Sequence, residues 1–288
     1  PGLWKVSKGD HVLWVFDTYA PLPKNLEWRS QQVEAVLAQS QEYLQPPGAM
    51  ADVGFFSKVA MLPFAIGFKK NPDGAYLKDV VPAPVYARWQ VLKTKYLGDD
   101  DGIERERPIF AADALYAKGL EQAGLVNGPQ VQKKIDQLVK HSGIKKTDTG
   151  IKLDVDDPVT MLREFKKTPL EDAACFANTL SRLEDDLDAM RVRANAWAKG
   201  DLAVIEQLGY ADRRGACNAA VLGSAVMQNR PGMRSVQARM REAWVAAAEK
   251  ALAANPSTFA TLQLVDMLDP QGYLAALQAK GYVVEKPE

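Results

Sequence analysis

Residues 3–17, LWKVSKGDHVLWVFD, decide how the fold of this chain begins. The runs 3–6 and 11–17 are rich in β-branched and aromatic side chains, which favour strands. The polar segment 7–10, SKGD, separates them and supplies a turn. Two such runs around a short glycine-containing turn predict an antiparallel β-hairpin.

The other end of the chain carries a second set of strand signals. Residues 259–265, FATLQLV, predict a buried strand, and 282–285, YVVE, predict a final strand. The middle is rich in helix start and stop signals. We therefore expect an α+β fold, with strands from both chain ends in one sheet and a largely helical middle. Because no repeat or linker divides the sequence, we expect residues 1–288 to form a single domain.

Three segments inside the chain carry more specific predictions. The alternating residues 144–153 predict a small hairpin, and a capping box at Thr168 predicts one long helix to about Lys199. Residues 55–68 are strongly apolar, either as a core helix broken at Pro63 or as a surface-seeking face. Burial is the commoner fate of such a segment, so we expect it in the core.

Composition excludes several classes of protein. The 288 residues are 47% hydrophobic and 25% charged, which is ordinary for a globular protein. Lys+Arg and Asp+Glu both number 36, and the basic pairs are scattered on polar turns, so no nucleic-acid partner is expected. No apolar run is long enough to predict a membrane span. Only two histidines, His11 and His141, are available for metal or hydrolytic chemistry.

The two cysteines, Cys175 and Cys217, both lie in helical-looking sequence. Two is the number needed for one bridge, but two buried inert thiols fit the residues equally well. The chain starts at Pro1 without a charged-then-apolar leader. A trimmed secretory leader and a shortened sequence would both leave this start.

Both chain ends resemble the TraB/GumN family. The opening, PGLWKVSKG at 1–9 and LWVFDTYAPLP at 13–23, is similar to the start of family members. The strand at 259–265 and the segment GYLAALQAKGY at 272–282 are similar to the C-terminal part of family members. The resemblance covers nearly the whole chain. It implies an α+β fold whose two halves bring their strand ends together; the family includes Tiki-type metalloproteases, and many bacterial members are exported.

In catalytically competent relatives, each half supplies a Gly-x-x-His motif at a strand end, and a Glu follows the first motif. Histidine binds a divalent metal, and a Glu can act as ligand or general base. This chain has DTYA at 17–20 and QLVD at 263–266, so both histidines are lost. Gln45 or Glu42 stands where the Glu is expected. By resemblance the candidate cleft residues are Asp17, Thr18, Tyr19, Ala20, Gln263 and Asp266.

The loss of both ligands favours a non-catalytic family member that binds a protein, peptide or saccharide through the former cleft. We expect no cofactor and no resident metal. An enzymatic alternative is a metal-dependent hydrolase or protease with a rebuilt carboxylate site, in which Asp17 and Asp266 hold Mg²⁺, Ca²⁺ or Mn²⁺ and Tyr19 assists. In a purely structural interpretation, the two carboxylates are strand-end or capping residues.

A third hypothesis is a saccharide- or peptide-binding protein that uses tryptophans as stacking platforms. The candidates are Trp28, Trp89, Trp197 and Trp244, although tryptophans are more often core residues. Haem binding by distant analogy lacks an axial histidine near the motif positions. The resemblance implies export to the periplasm or outside the cell, where Cys175 and Cys217 would form a disulfide.

Overall fold

The computed structural model describes all residues, 1–288, and is 57% helical with 15% strand. This confirms the predicted α+β class. The ten strands are β1 Leu3–Lys8, β2 His11–Thr18, β3 Leu22–Pro23, β4 Glu42–Leu44, β5 Ala49–Asp52, β6 Leu125–Val126, β7 Lys145–Thr147, β8 Ile151–Asp154, β9 Ser257–Gln263 and β10 Val283–Glu285.

Most of the chain between β2 and β9 is helical. The fifteen α-helices are α1 Gln31–Gln39, α2 Phe55–Ala65, α3 Leu77–Val80, α4 Ala83–Tyr96, α5 Pro108–Gln122, α6 Gln130–Ser142, α7 Pro158–Lys167, α8 Ala173–Asp185, α9 Leu187–Lys199, α10 Leu202–Gln207, α11 Arg213–Leu222, α12 Ala225–Gln228, α13 Val236–Ala254, α14 Leu264–Leu268 and α15 Tyr273–Ala279. Three short 3-10 helices span Pro72–Gly74, Gly102–Arg105 and Pro231–Met233.

The main sheet has six strands in the order β10-β1-β2-β9-β4-β7. The predicted hairpin forms between β1 and β2, and Gly9 takes the positive φ of 68° that its two-residue turn needs. Next to it β2, β9, β4 and β7 run parallel, while β10 pairs antiparallel with β1. Strands from both chain ends therefore share one sheet, as the sequence predicts.

Helices cover both faces of this sheet. Neighbouring strand residues point to opposite faces. In β4, the Tyr43 hydroxyl bonds to Gln132 of α6, while the adjacent Glu42 bonds to Asn255 at the end of α13. The resulting core holds 30 buried residues. Such two-sided burial suits the parallel strands, which need cover on both faces.

A second, mainly helical core lies beside the sheet and holds 16 buried residues, mostly from α4, α5 and α8. The prediction of one long helix from Thr168 to Lys199 is wrong here. The Thr168 hydroxyl bonds back to Glu164 in α7, and α8 begins only at Ala173. A break at Asp186, whose carboxylate binds buried arginines, then separates α8 from α9.

The predicted hairpin at 144–153 is also wrong. β7 pairs parallel with β4, while β8 leaves that sheet and pairs parallel with β5. The segment that joins β4 to β5 therefore runs beside the segment that joins β7 to β8, and both pass from the main sheet to the small sheet. Thr149 donates to Gln45 O at 2.8 Å, and Ile151 N donates to Gly48 O at 2.9 Å. Long-range pairing thus overrides a local alternation that resembles a hairpin.

The apolar segment 55–68 is not part of the core, and that expectation is wrong. α2 has no buried residue, and Phe56 is 87% exposed. Its main packing partner is α7, which also has no buried residue. Strongly apolar sequence therefore forms a helix on the surface of the molecule.

Cys175 of α8 and Cys217 of α11 form a disulfide with Cα atoms 4.5 Å apart. This confirms the pairing expected for an exported chain and settles the choice between a bridge and free thiols. None of the fifteen α-helices combines the length and the hydrophobicity that a bilayer-crossing segment needs.

Candidate functional site

The two degenerate motifs meet at the C-terminal ends of the central strands β2 and β9. The first motif spans the end of β2, the second begins at the last residue of β9, and the two strands are direct neighbours. Their register pairs Asp17 with Leu262 and Thr18 with Gln263. The Thr18 hydroxyl donates to Leu262 O at 3.3 Å. The structure therefore brings Thr18 and Gln263 side by side, as the resemblance implies.

Asp17 stands at the glycine position of the first motif and is completely buried. One carboxylate oxygen accepts from Gly2 N and from Trp197 Nε1, both at 3.0 Å. The other oxygen accepts from Trp4 Nε1 at 3.3 Å. The buried carboxylate thus organises one backbone N–H and two indoles from three parts of the chain.

The electrostatics of Asp17 reflect these surroundings. Burial raises the pKa of Asp17 to about 6, because a charged carboxylate loses its hydration. The donated hydrogen bonds from Gly2, Trp4 and Trp197 act in the opposite direction, since they favour the ionised form. A carboxylate with this environment is a structural acceptor at the end of β2.

Tyr19 and Ala20 follow Asp17 and leave the sheet. The Tyr19 ring stacks on Trp197 with centroids 6.4 Å apart. Burial raises the pKa of Tyr19 to about 12, although the positive charge of Arg193 opposes this shift. Ala20, at the histidine position of the motif, is exposed. Tyr19 is therefore a neutral aromatic wall of the site and does not ionise near neutral pH.

Asp266, at the second histidine position, lies in the short helix α14 and faces Arg214 of α11. Arg214 Nη1 donates to one carboxylate oxygen at 2.9 Å and Nη2 to the other at 3.4 Å. This is the two-pronged arrangement in which a guanidinium matches a carboxylate. Burial, together with the charge of Asp266, raises the pKa of the neighbouring Tyr273 to about 12. Asp266 is thus the acceptor of an ion pair.

The two carboxylates have separate hydrogen-bond partners. Asp17 accepts from the indoles of Trp4 and Trp197, and Asp266 accepts from Arg214. No group of three or more His, Cys, Asp or Glu side chains is arranged to hold a metal ion.

Of the two residues that could stand at the position of the family glutamate, Gln45 and Glu42, the structure places Glu42 away from the motifs. Glu42 begins β4 and pairs with Thr258, at the start of β9. The second motif begins at Gln263, five residues further along β9 and about 16 Å away at 3.3 Å per residue. Burial would raise the pKa of Glu42, but hydrogen bonds from Thr147 and Asn255 and the charge of Lys145 hold it below its ordinary value. Glu42 therefore serves the opposite end of the sheet.

Neither histidine lies near the two motifs at the C-terminal ends of β2 and β9. His11 begins β2, six residues before Asp17, and its Nδ1 lies 2.6 Å from Leu252 O. His141 is exposed in the last turn of α6, before β7. Both imidazoles therefore lie towards the start of the parallel strands, away from the candidate site.

The sequence interpretation missed a cluster of buried charges behind Tyr19. Arg182 donates to Asp186 at 2.8 Å, and Arg193 donates to the same carboxylate oxygen. Both guanidiniums lie over the ring of Tyr210, at 4.3 and 4.4 Å from its centroid. The four-residue spacing of Arg182 and Asp186 indicates a helical ion pair. Nothing in the sequence shows that Tyr210 buries it.

A cavity of about 530 Å³ lies beside Tyr116 of α5, and the charges of Arg182 and Asp186 act on this tyrosine. Arg213 of α11 stacks on Tyr116 at 4.3 Å and pairs with Asp113, and all three line the cavity. Leu120 and Val126 supply an apolar wall. The volume is in the range that holds a small ligand or a peptide side chain. The full lining comprises Lys24, Asp113, Tyr116, Ala117, Leu120, Glu121, Gly124, Leu125, Val126, Asn127 and Arg213.

The proposed tryptophan platforms are largely core residues. Trp89, Trp197 and Trp244 are fully buried, so their faces are not available to a sugar ring. Trp28 is half-buried and stacks near Phe16, with centroids 5.2 Å apart. This outcome agrees with the ordinary role of tryptophan in a core.

The structure is an α+β protein in which strands from both chain ends meet at motif positions that contain no histidine. The model of the TraB/PrgY/gumN family matches residues 2–286, and the chain belongs to this family. No curated protein and no solved structure gives a significant match.

Proposed function

We propose that this protein is a non-catalytic, exported member of the family that binds a peptide-like ligand at the former cleft. The observation that carries the proposal is the occupation of both motif carboxylates by donors of the protein itself. Asp17 accepts from Gly2, Trp4 and Trp197, and Asp266 accepts from Arg214. A catalytic divalent metal needs free lone pairs from about three protein ligands, and these two are already engaged.

None of the motif residues lines the cavity beside Tyr116, but Arg213 in its wall is the chain neighbour of Arg214, which binds Asp266, so a peptide-like ligand in this cavity would lie next to the former cleft. The cavity offers Arg213 and Lys24 as cations, Asp113 and Glu121 as anions, and an apolar wall. A peptide segment presents both signs of charge as well as apolar side chains, whereas a saccharide is best held by exposed aromatic faces. Burial of three of the four candidate tryptophans weakens the saccharide hypothesis.

Export and domain organisation are parts of the same proposal. The disulfide supports an oxidising compartment, because bridges of this kind persist outside the cytoplasm. Pairing of β1 with β10 and of β2 with β9 supports a single TraB/GumN-like domain over residues 1–288.

The experiment measures metal content and ligand binding on the same preparation. Protein purified without chelator is expected to carry no stoichiometric metal, and Asp266→Ala is expected to leave metal content unchanged. A stoichiometric metal that is lost in Asp266→Ala would support the carboxylate hydrolase instead. Binding is screened on an array of short synthetic peptides; Arg213→Gln should weaken peptide capture, whereas Lys250→Gln, on an exposed position of α13, should not. Capture that ignores Arg213→Gln would contradict the proposed site.

A further inference from the structure

The outward face of α2 is an apolar surface that neither the core nor the cleft uses. Phe55, Val59 and Leu62 follow each other at spacings of four and three, so they lie in one line along the helix. Ile66 continues the line past the helix end, and Phe56 lies beside it. We call these five residues the α2 stripe. Phe55 is 73% exposed and Leu62 65% exposed.

The stripe is held outward by packing on its other side. Arg163 of α7 lies over the ring of Phe64, 4.6 Å from its centroid. Phe68, just after the helix, packs on Phe110 at 5.3 Å and on Phe165 at 6.4 Å. These contacts anchor α2 to α5 and α7, so the stripe projects from a packed base.

Positive charge surrounds the stripe, although the whole chain has a formal net charge of +0. Residues 53–70 contain no acidic side chain, and Lys58, Lys69 and Lys70 are all exposed. The adjoining helix α7 carries three cations, Arg163, Lys166 and Lys167, against the single anion Glu164. Glu106 lies against Lys69 and Lys70 and offsets part of their charge, so the border of the stripe is most basic at Lys58 and along α7.

We propose that the α2 stripe docks on the surface of a bilayer that contains anionic lipids, with α2 lying flat in the interface. Apolar side chains of such a helix enter the boundary between headgroups and acyl chains, while lysines reach the headgroups. Anionic headgroups complement the basic border. The two phenylalanines alone expose roughly 300 Å², since a phenylalanine side chain covers on the order of 200 Å². That area is already typical of a functional patch.

A second copy of the chain is a poorer occupant of the same surface. In a two-fold dimer the patch faces itself, so Lys58, Lys69 and Lys70 of one copy would approach the same residues of the other. Like charges brought together across an interface oppose association. Because every stripe residue is exposed, the stripe projects as a ridge. A deformable bilayer accommodates such a ridge, whereas two copies would press ridge against ridge.

The test is co-sedimentation of the full chain with lipid vesicles. One set is pure phosphatidylcholine, and the other is three parts phosphatidylcholine to one part phosphatidylglycerol. We expect binding to the anionic vesicles that falls in high salt. Phe55→Glu with Phe56→Glu should lower the bound fraction about tenfold or more, because charge replaces the inserting groups. Lys69→Gln with Lys70→Gln should lower it on the order of tenfold through lost headgroup attraction.

The control is Val91→Glu, which also places a carboxylate at an exposed apolar position, 70% exposed in α4. It should bind vesicles like the unchanged protein, and the thermal unfolding midpoint shows whether each variant is folded. Equal binding to both vesicle types, no binding to either, or binding that survives the Phe55/Phe56 change would overturn the proposal. So would a dimer, seen by light scattering without lipid, that the same change dissolves. Peptide binding at the cleft is measured separately and does not depend on these outcomes.

Discussion

The disulfide fixes a helix with a small apolar contact face. α11 contributes one buried side chain, Ala220, and a few partly buried ones, and its bridge through Cys217 connects it to α8. Its polar ties lie near its start. There Arg213 pairs with Asp113, and Asn178 donates to Asp212 O at 3.0 Å. We therefore predict that the bridge supplies most of the stability of this segment.

The magnitude follows from the length of the loop that the bridge closes. The two cysteines are 42 residues apart in the sequence. Restriction of the unfolded chain by a loop of this size stabilises the folded state by about 4 kcal/mol in the chain-entropy model. Removing the bridge should therefore lower the free energy of unfolding by about that amount, with α11 opening first.

The assay is urea unfolding of the oxidised protein, the reduced protein and the variant Cys175→Ala with Cys217→Ala. The variant separates the effect of the bridge from that of the reductant, and alanine avoids placing a hydroxyl in the buried Cys175 site. Trypsin should cut first after Arg213 or Arg214 in both bridge-free forms. Equal urea midpoints with and without the bridge, together with unchanged cleavage, would refute the reasoning.

Three further changes test other parts of the site and surface. Folding raises the pKa of Asp17 from 3.8 to about 6, so its contribution to stability is present below pH 3.8 and is lost as the pH rises through 6. Over this range the free energy of unfolding of the unchanged protein should fall by about 3 kcal/mol relative to that of Asp17→Asn. A difference between the two proteins that does not change with pH would contradict this. Arg214→Gln should cost less than about 1 kcal/mol in urea unfolding, because half of the Arg214 side chain is exposed beside Asp266; a larger loss would mean that the pair is structurally essential. Phe56→Ala should change stability by less than about 0.5 kcal/mol, whereas Phe176→Ala, fully buried, should cost about 3–5 kcal/mol; similar losses would show that α2 is packed in solution.

The sequence predicts the parts of the fold that local chemistry determines. The hairpin of residues 3–17 combines strand-forming side chains with a glycine turn, and both lie within one short segment. The strand predicted at 259–265 is observed at Ser257–Gln263, followed at once by α14. Val265 favours a strand by propensity, but it belongs to this short helix, on which Asp266 meets Arg214.

Other features depend on contacts that no local pattern specifies. The parallel pairing of β7 with β4 joins residues about a hundred positions apart, so the alternation at 144–153 gives no sign of it. The apolarity of α2 is visible in the sequence, but apolar composition does not state whether a partner exists to cover it. At the candidate site, the positions of Thr18 and Gln263 follow from the family resemblance. The indole donors to Asp17 and the arginines around Asp186 become visible only when distant helices pack together.

The central pairing of β2 with β9 also constrains how the protein is made. β2 is finished at Thr18, but its parallel neighbour is complete only at Gln263. A ribosome adding roughly 5–20 residues per second needs about 12–50 s to cover that interval. Throughout this time, one edge of a very apolar strand, including Leu13, Val15 and Phe16, has no permanent neighbour. A nascent chain of this architecture therefore depends on shielding of this edge of β2 until β9 has been added.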